Sequence, residues 1–148
     1  MPINNPLAEK EIKELIKVAK KTRKNAFAHR SMHKIASVLT MDKIFCNVES
    51  AISGLGTCAE RCAADNAVSH GHYELRAVCT VDTQLVPICA CLQYILLFSQ
   101  VSDQDIWMVS ADLKNYEIKT LSQLLPEYKT KKIENLKIYS KKNKQIKK

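Results

Sequence analysis

Residues 34–81 read KIASVLTMDKIFCNVESAISGLGTCAERCAADNAVSHGHYELRAVCTV. Lys34 to Thr40 alternates in polarity and is rich in Ile and Val, the pattern of a strand. Met41-Asp42 supplies a turn, and Lys43 to Val48 reads as the returning strand of a hairpin. Ser50 to Gly56 carries two of the three glycines and reads as a loop. Thr57 to His70 then predicts a helix, closed by Gly71 just past its end. Glu74 to Val81 returns to strand composition.

The flanks extend this alternation. Upstream, Asn5-Pro6 reads as a helix start, and Ile12, Leu15, Ile16 and Ala19 recur at i, i+3, i+4 and i+7 on one apolar face. Downstream, Pro87 opens a helix running to about Ser99. Asp105 to Ser110 reads as a strand around Trp107, and Tyr116 to Ile118 as a short strand. Thr120 to Leu125 reads as a short helix stopped by Pro126. Helices alternating with strands predict an α/β fold, a three-layer α/β/α sandwich. The opening hairpin makes its sheet of about five strands mixed. The domain expected is residues 1–128, followed by a basic lysine-rich tail over 129–148.

Composition narrows the function classes. A chain of 148 residues with 46% hydrophobic residues forms one globular core. Three glycines argue against a glycine-rich phosphate loop. No apolar run reaches the roughly 18–20 residues of a membrane span, so no membrane partner is expected. The N-terminal residues lack an apolar signal core, so a cytoplasmic location with reduced cysteines is expected. The net charge of +8 is unevenly spread. Residues 129–148 hold nine lysines against one glutamate, whereas residues 25–128 hold seven basic and eleven acidic groups. The basic balance therefore reports a solvated tail more than a nucleic-acid surface, although the tail leaves phosphate contacts open as a rival reading.

Six cysteines sit at 46, 58, 62, 79, 89 and 91. Two groups of residues stand at predicted helix starts: Thr57-Cys58-Ala59-Glu60-Arg61 and Pro87-Ile88-Cys89-Ala90-Cys91-Leu92-Gln93. In an α/β sheet such helix starts gather at the C-terminal edge of the strands, where ligands bind. A helix N-terminus also favours thiolate over thiol. Thiolates from two neighbouring helix starts are thus placed to share one Zn2+, with Glu60 two residues from Cys58 as a proton shuttle. Each residue has a plainer reading beside this one. Thr57-x-x-Glu60 matches a capping box, the cysteines serve equally as small core residues, and Arg61 as a solvated helix residue. Asn47 and Glu49 share a strand face and read as a polar strand end.

Cys58-Ala59-Glu60-Arg61 resembles the metal-and-base motif of the cytidine deaminase family. Lys24-Asn25-Ala26-Phe27-Ala28 with Ser31 is similar to the family's first loop, and Asn47-Val48-Glu49 to its ribose-binding segment. Ala90-Cys91-Leu92-Gln93 is similar to its second metal motif, and Leu124-Leu125-Pro126 to its C-terminal end. The resemblance spans about residues 10–128. It implies zinc-dependent hydrolytic deamination of cytidine or deoxycytidine in pyrimidine salvage, by a homo-tetramer or a dimer. Glu60 is then the catalytic proton carrier, and Asn47, Glu49, Ala59 and His33 bind substrate. Arg61 offsets the thiolate charge, and Cys58, Cys89 and Cys91 hold the metal.

The chain also departs from the family. Ile88 stands where the first cysteine of the second metal motif belongs, and Cys89 comes one residue late. Residues i and i+2 of a helix point about 200° apart, so Cys89 joins Cys91 on a metal only if the helix start unwinds. His33 replaces a phenylalanine that packs on the base. Two alternatives follow from these departures. One is a catalytically impaired, nucleoside-binding or structural protein of the same fold; the other is a blasticidin-type nucleoside deaminase.

Overall fold

The computed structural model describes residues 6–29, 36–39, 43–46, 55–81, 89–112 and 114–125; for 36–39, 43–46 and 89–90 it describes the backbone. The chain runs α1 (Glu9–Thr22), a single 3-10 turn, β1 (Ala36–Leu39), β2 (Lys43–Cys46), α2 (Ala59–Ser69) and β3 (Ala77–Val81). It continues α3 (Cys89–Ser102), β4 (Trp107–Ala111), β5 (Tyr116–Thr120) and α4 (Leu121–Leu124). Apart from the 3-10 turn, the element order is the one read from the sequence.

The strands form one mixed sheet in the order β2-β1-β3-β4-β5. β1 pairs antiparallel with both β2 and β3, β3 pairs parallel with β4, and β4 pairs antiparallel with β5. It follows that β2 and β3 point the same way. The elements after them, α2 and α3, therefore both begin at the same edge of the sheet, and this places the site described below.

Alternation along β3 divides the core into two layers. Ala77, Cys79 and Val81 pack with Val109 and Ala111 of β4 against Ile12, Leu15, Ile16 and Ala19 of α1. Val78 and Met108 point the other way, into a cluster with Ala63, Ala64 and Ala67 of α2 and Leu92, Ile95 and Phe98 of α3. Full burial of a residue such as Ile95 contributes about 1.5–3 kcal/mol. The buried face of α2 consists of Ala59, Ala63, Ala64 and Ala67 with Glu60. Alanine side chains let that helix lie close to the sheet, which brings its one buried carboxylate near β3.

Several ends differ from the sequence reading. α1 begins at Glu9 rather than at Pro6, because the Glu11 carboxylate accepts from the Ala8 N–H at 2.8 Å and sets the first turn there. Pro6 instead offers its carbonyl to Arg76 at 3.3 Å, and Arg76 pairs with Glu11 at 2.6 Å. β3 begins at Ala77, not Glu74, and α3 continues a turn beyond Ser99. Asp105 precedes β4 rather than starting it: buried, it accepts from Ile106 N–H at 2.9 Å, Ser122 N–H at 3.2 Å and Ser122 Oγ at 2.5 Å. The reciprocal capping box is made by Thr120 and Gln123 at α4, not by Thr57 and Glu60. At the end of α2, Gly71 sits at φ +77°. Its N–H reaches Val68 O at 2.9 Å, and His72 N–H reaches Ala67 O at 2.9 Å, the paired bonds of a Schellman cap.

Candidate metal centre

Cys58 is the N-cap of α2, with extended backbone angles, and Glu60 lies in the first turn. The helix thus starts one residue later than a Thr57 cap requires, which removes the capping-box reading of Glu60. Glu60 instead faces inward, 4% exposed, on the same stripe as Ala63, Ala64 and Ala67. Thr80, whose side chain shares the Val78 side of β3, donates its hydroxyl to Glu60 Oε1 at 3.5 Å. Cys91 lies in the first turn of α3, 1% exposed, in line with Ile95, Phe98 and Ser99. The sulfurs of Cys58 and Cys91 and a carboxylate oxygen of Glu60 all lie within 4.8 Å of one another. They form the one group of this kind among the described residues.

The electrostatics of this cluster favour one thiolate even without a metal. Cys58 is lowered from the ordinary thiol value of 9.0 to about 7, chiefly because the Cys91 thiol donates to its sulfur. Arg61 also lowers it, against opposing contributions from burial and Glu60. Cys91 moves upward for the complementary reason: it keeps the shared proton, and burial and Glu60 oppose its ionisation. Arg61 pulls it the other way. The N-terminal dipole of α2 reinforces the thiolate at Cys58. Two soft sulfurs beside a carboxylate make a donor set suited to zinc. The residues present therefore fit that metal.

Of the other candidates, Ala59 is fully buried at the first position of α2. Arg61 is exposed, with Cζ 5.4 Å from the centroid of the Tyr94 ring. Cys89 lies in the helical backbone at the start of α3, two residues from Cys91. Its side chain, and all of His33, Asn47, Glu49 and Ile88, lie outside the described residues. Cys62, Cys79, Cys58 and Cys91 are free thiols. Of the cysteines read as small core residues, Cys79 is buried in the core, whereas Cys62 is only half-buried. Sequence reasoning missed Thr80, Tyr94 and Asp65. The signal for Tyr94 was its position one turn beyond Cys91, on the same helix face.

An α/β sandwich with thiols and a carboxylate gathered at two helix starts, where they could hold a metal ion, has counterparts among solved proteins. Solved structures bear out the likeness. A cytidine deaminase from Burkholderia pseudomallei aligns with a TM-score of 0.69 and 28% identity, over 82% of this chain and 98% of that one. A cytidine deaminase from Mycobacterium leprae aligns with a TM-score of 0.63 and 27% identity, over 76% and 94%. That from Mycobacterium tuberculosis, at 24% identity and a TM-score of 0.62, shares the fold. No protein-family profile matches the chain. The structural likenesses support a place for the chain in the cytidine deaminase family, at identities of 28% and below. No helix among the described residues is long and apolar enough to cross a membrane.

Proposed function

We propose that this chain is a zinc-dependent hydrolase that deaminates cytidine or deoxycytidine, a step of pyrimidine salvage in the cytoplasm. The observation that carries the reading is the convergence of Cys58, Glu60 and Cys91 within 4.8 Å at two helix starts. Cys58 and Cys91 would hold the metal, with Cys89 as the third protein ligand if the first turn of α3 opens. Zinc, when bound, makes water a nucleophile at neutral pH. Glu60 takes a proton from the attacking water and delivers it to N3 of the base. It then takes the proton of the hydroxyl now on C4 and passes it to the amine, so that the C4–N bond breaks, the C4 carbonyl forms and ammonia leaves. The Thr80 hydroxyl holds Glu60 Oε1 and so orients the carboxylate. Asn47 and Glu49 bind the ribose, with Ala59 and His33 toward the base. Residues 129–148 stand outside the reaction.

The same convergence supports one second reading. With Ile88 in place of a ligand, Glu60 could itself complete the metal site. The base would then be lost and a nucleoside-binding or structural protein would remain. The deciding experiment is elemental analysis of chelator-free protein, run beside a spectroscopic assay of cytidine conversion to uridine. Stoichiometric zinc with turnover supports the hydrolase. Zinc without turnover, or no zinc at all, supports the nucleoside-binding or structural reading.

A homo-tetramer is proposed as the assembly. α3 carries no charged residue, and Phe27, Val68 and Leu97 are exposed on the single chain. Light scattering showing a stable monomer at micromolar concentration would exclude it.

A further inference from the structure

Arg61 and Tyr94 each stand one helical turn beyond a candidate ligand, Arg61 after Cys58 on α2 and Tyr94 after Cys91 on α3. The Tyr94 ring crosses from α3 to lie under the Arg61 guanidinium at 5.4 Å. Its hydroxyl donates to Asp65 Oδ1, one turn further along α2. Tyr94 also packs against Phe98 on its own helix, with centroids 6.5 Å apart. One side chain therefore touches two residues of the opposite helix and is braced from behind.

We infer that Tyr94 is a positioning residue, which holds Arg61 beside the Cys58–Cys91 pair so that its charge balances the loaded site. The inference rests on reading Cys58 and Cys91 as metal ligands. The Cys58 and Cys91 thiolates and the Glu60 carboxylate carry three negative charges against two on zinc, a Cys89 thiolate would add a fourth, and Arg61 offsets one of them. An exposed arginine has about 2 kcal/mol of rotamer entropy and spreads its charge into solvent unless something fixes it. The face of an aromatic ring does so without withdrawing the charge, as a carboxylate partner would. The Asp65 acceptor fixes the ring in turn.

The test is a cobalt(II) titration of the full-length protein, read by the thiolate-to-cobalt charge-transfer band, with zinc competition for absolute affinity. Tyr94→Leu should weaken binding about two- to fivefold, the range of an exposed cation–π contact. Tyr94→Phe keeps the ring and should retain most of the affinity. In the Arg61→Gln background, Tyr94→Leu should add no further loss, because its effect passes through Arg61. Thermal melts of the metal-free variants check folding, and Tyr94→Gln replaces Tyr94→Leu if the latter does not fold. Equal losses in both backgrounds, or no loss at all, would overturn the positioning role while leaving the metal centre standing. An unsubstituted chain that gives no charge-transfer band overturns both.

Discussion

The thiol of Cys91 donates to the sulfur of Cys58, joining the first turn of α3 to the cap of α2. One proton serves two sulfurs, so the pair ionises in two widely separated steps, the first at Cys58.

In the metal-free protein, alkylation of Cys58 by iodoacetamide should therefore rise with pH and pass its half-point at about 7. Cys79, pushed up to about 12 by burial, should stay unmodified over the same range. The sign for stability follows from the lowered value. The Cys58 thiolate contributes stability in full above the ordinary thiol value of 9.0 and loses it as pH falls through about 7. Peptide mass spectrometry across a pH series checks the assignment; a Cys58 half-point near 9 would remove the hydrogen bond from the explanation.

Zinc added to the chelated protein should raise its melting temperature. Binding to the folded state alone stabilises by about 2.7 kcal/mol at a free metal concentration one hundred times Kd. Cys58→Ala and Cys91→Ala should abolish the shift. Cys89→Ala should reduce it if the third ligand is a thiol. Differential scanning calorimetry of the three variants separates these cases, and an unchanged shift for Cys89→Ala leaves the two described sulfurs as the thiolate ligands.

Glu60→Gln preserves size but cannot carry protons. It should keep zinc and the fold while lowering the deamination rate at least about 10²-fold, the low end for general acid–base catalysis. Loss of zinc in this variant would instead make Glu60 a ligand and favour the non-catalytic reading. Turnover equal to that of the unsubstituted protein would remove Glu60 from the mechanism.

Two substitutions away from the centre test the packing. Asp105→Ala strands the Ile106 and Ser122 donors beneath the start of α4, and should destabilise by about 2 kcal/mol. Gly71→Ala meets no atom within 4 Å, so only the conformational cost of φ +77° remains, about 1 kcal/mol. Urea unfolding measures both. A Gly71→Ala cost near zero would mean that the cap relaxes to a negative φ.

By itself the sequence determined the order of the elements and singled out Cys58, Glu60 and Cys91 as candidates. Ile12, Leu15, Ile16 and Ala19 announce the buried face of α1 because helical periodicity is local, and all four are buried. Cys58, Glu60 and Cys91 were legible as a motif for a similar reason, since dipole and spacing act within one turn of each helix. Whether Glu60 caps α2 or faces inward was not legible. That depends on a one-residue choice of helix start, with the Thr80 hydroxyl above the carboxylate on β3. The meeting of the two sulfurs, the Arg61–Tyr94–Asp65 cluster and the Asp105–Ser122 bonds join residues far apart in the chain. The first two arise because β2 and β3 run in the same direction, so that α2 and α3 start at one edge and lie side by side, and the third because β5 pairs antiparallel with β4 and returns α4 to the start of β4. Strand direction is set by long-range pairing, which no local pattern encodes, and so only the tertiary structure decided it.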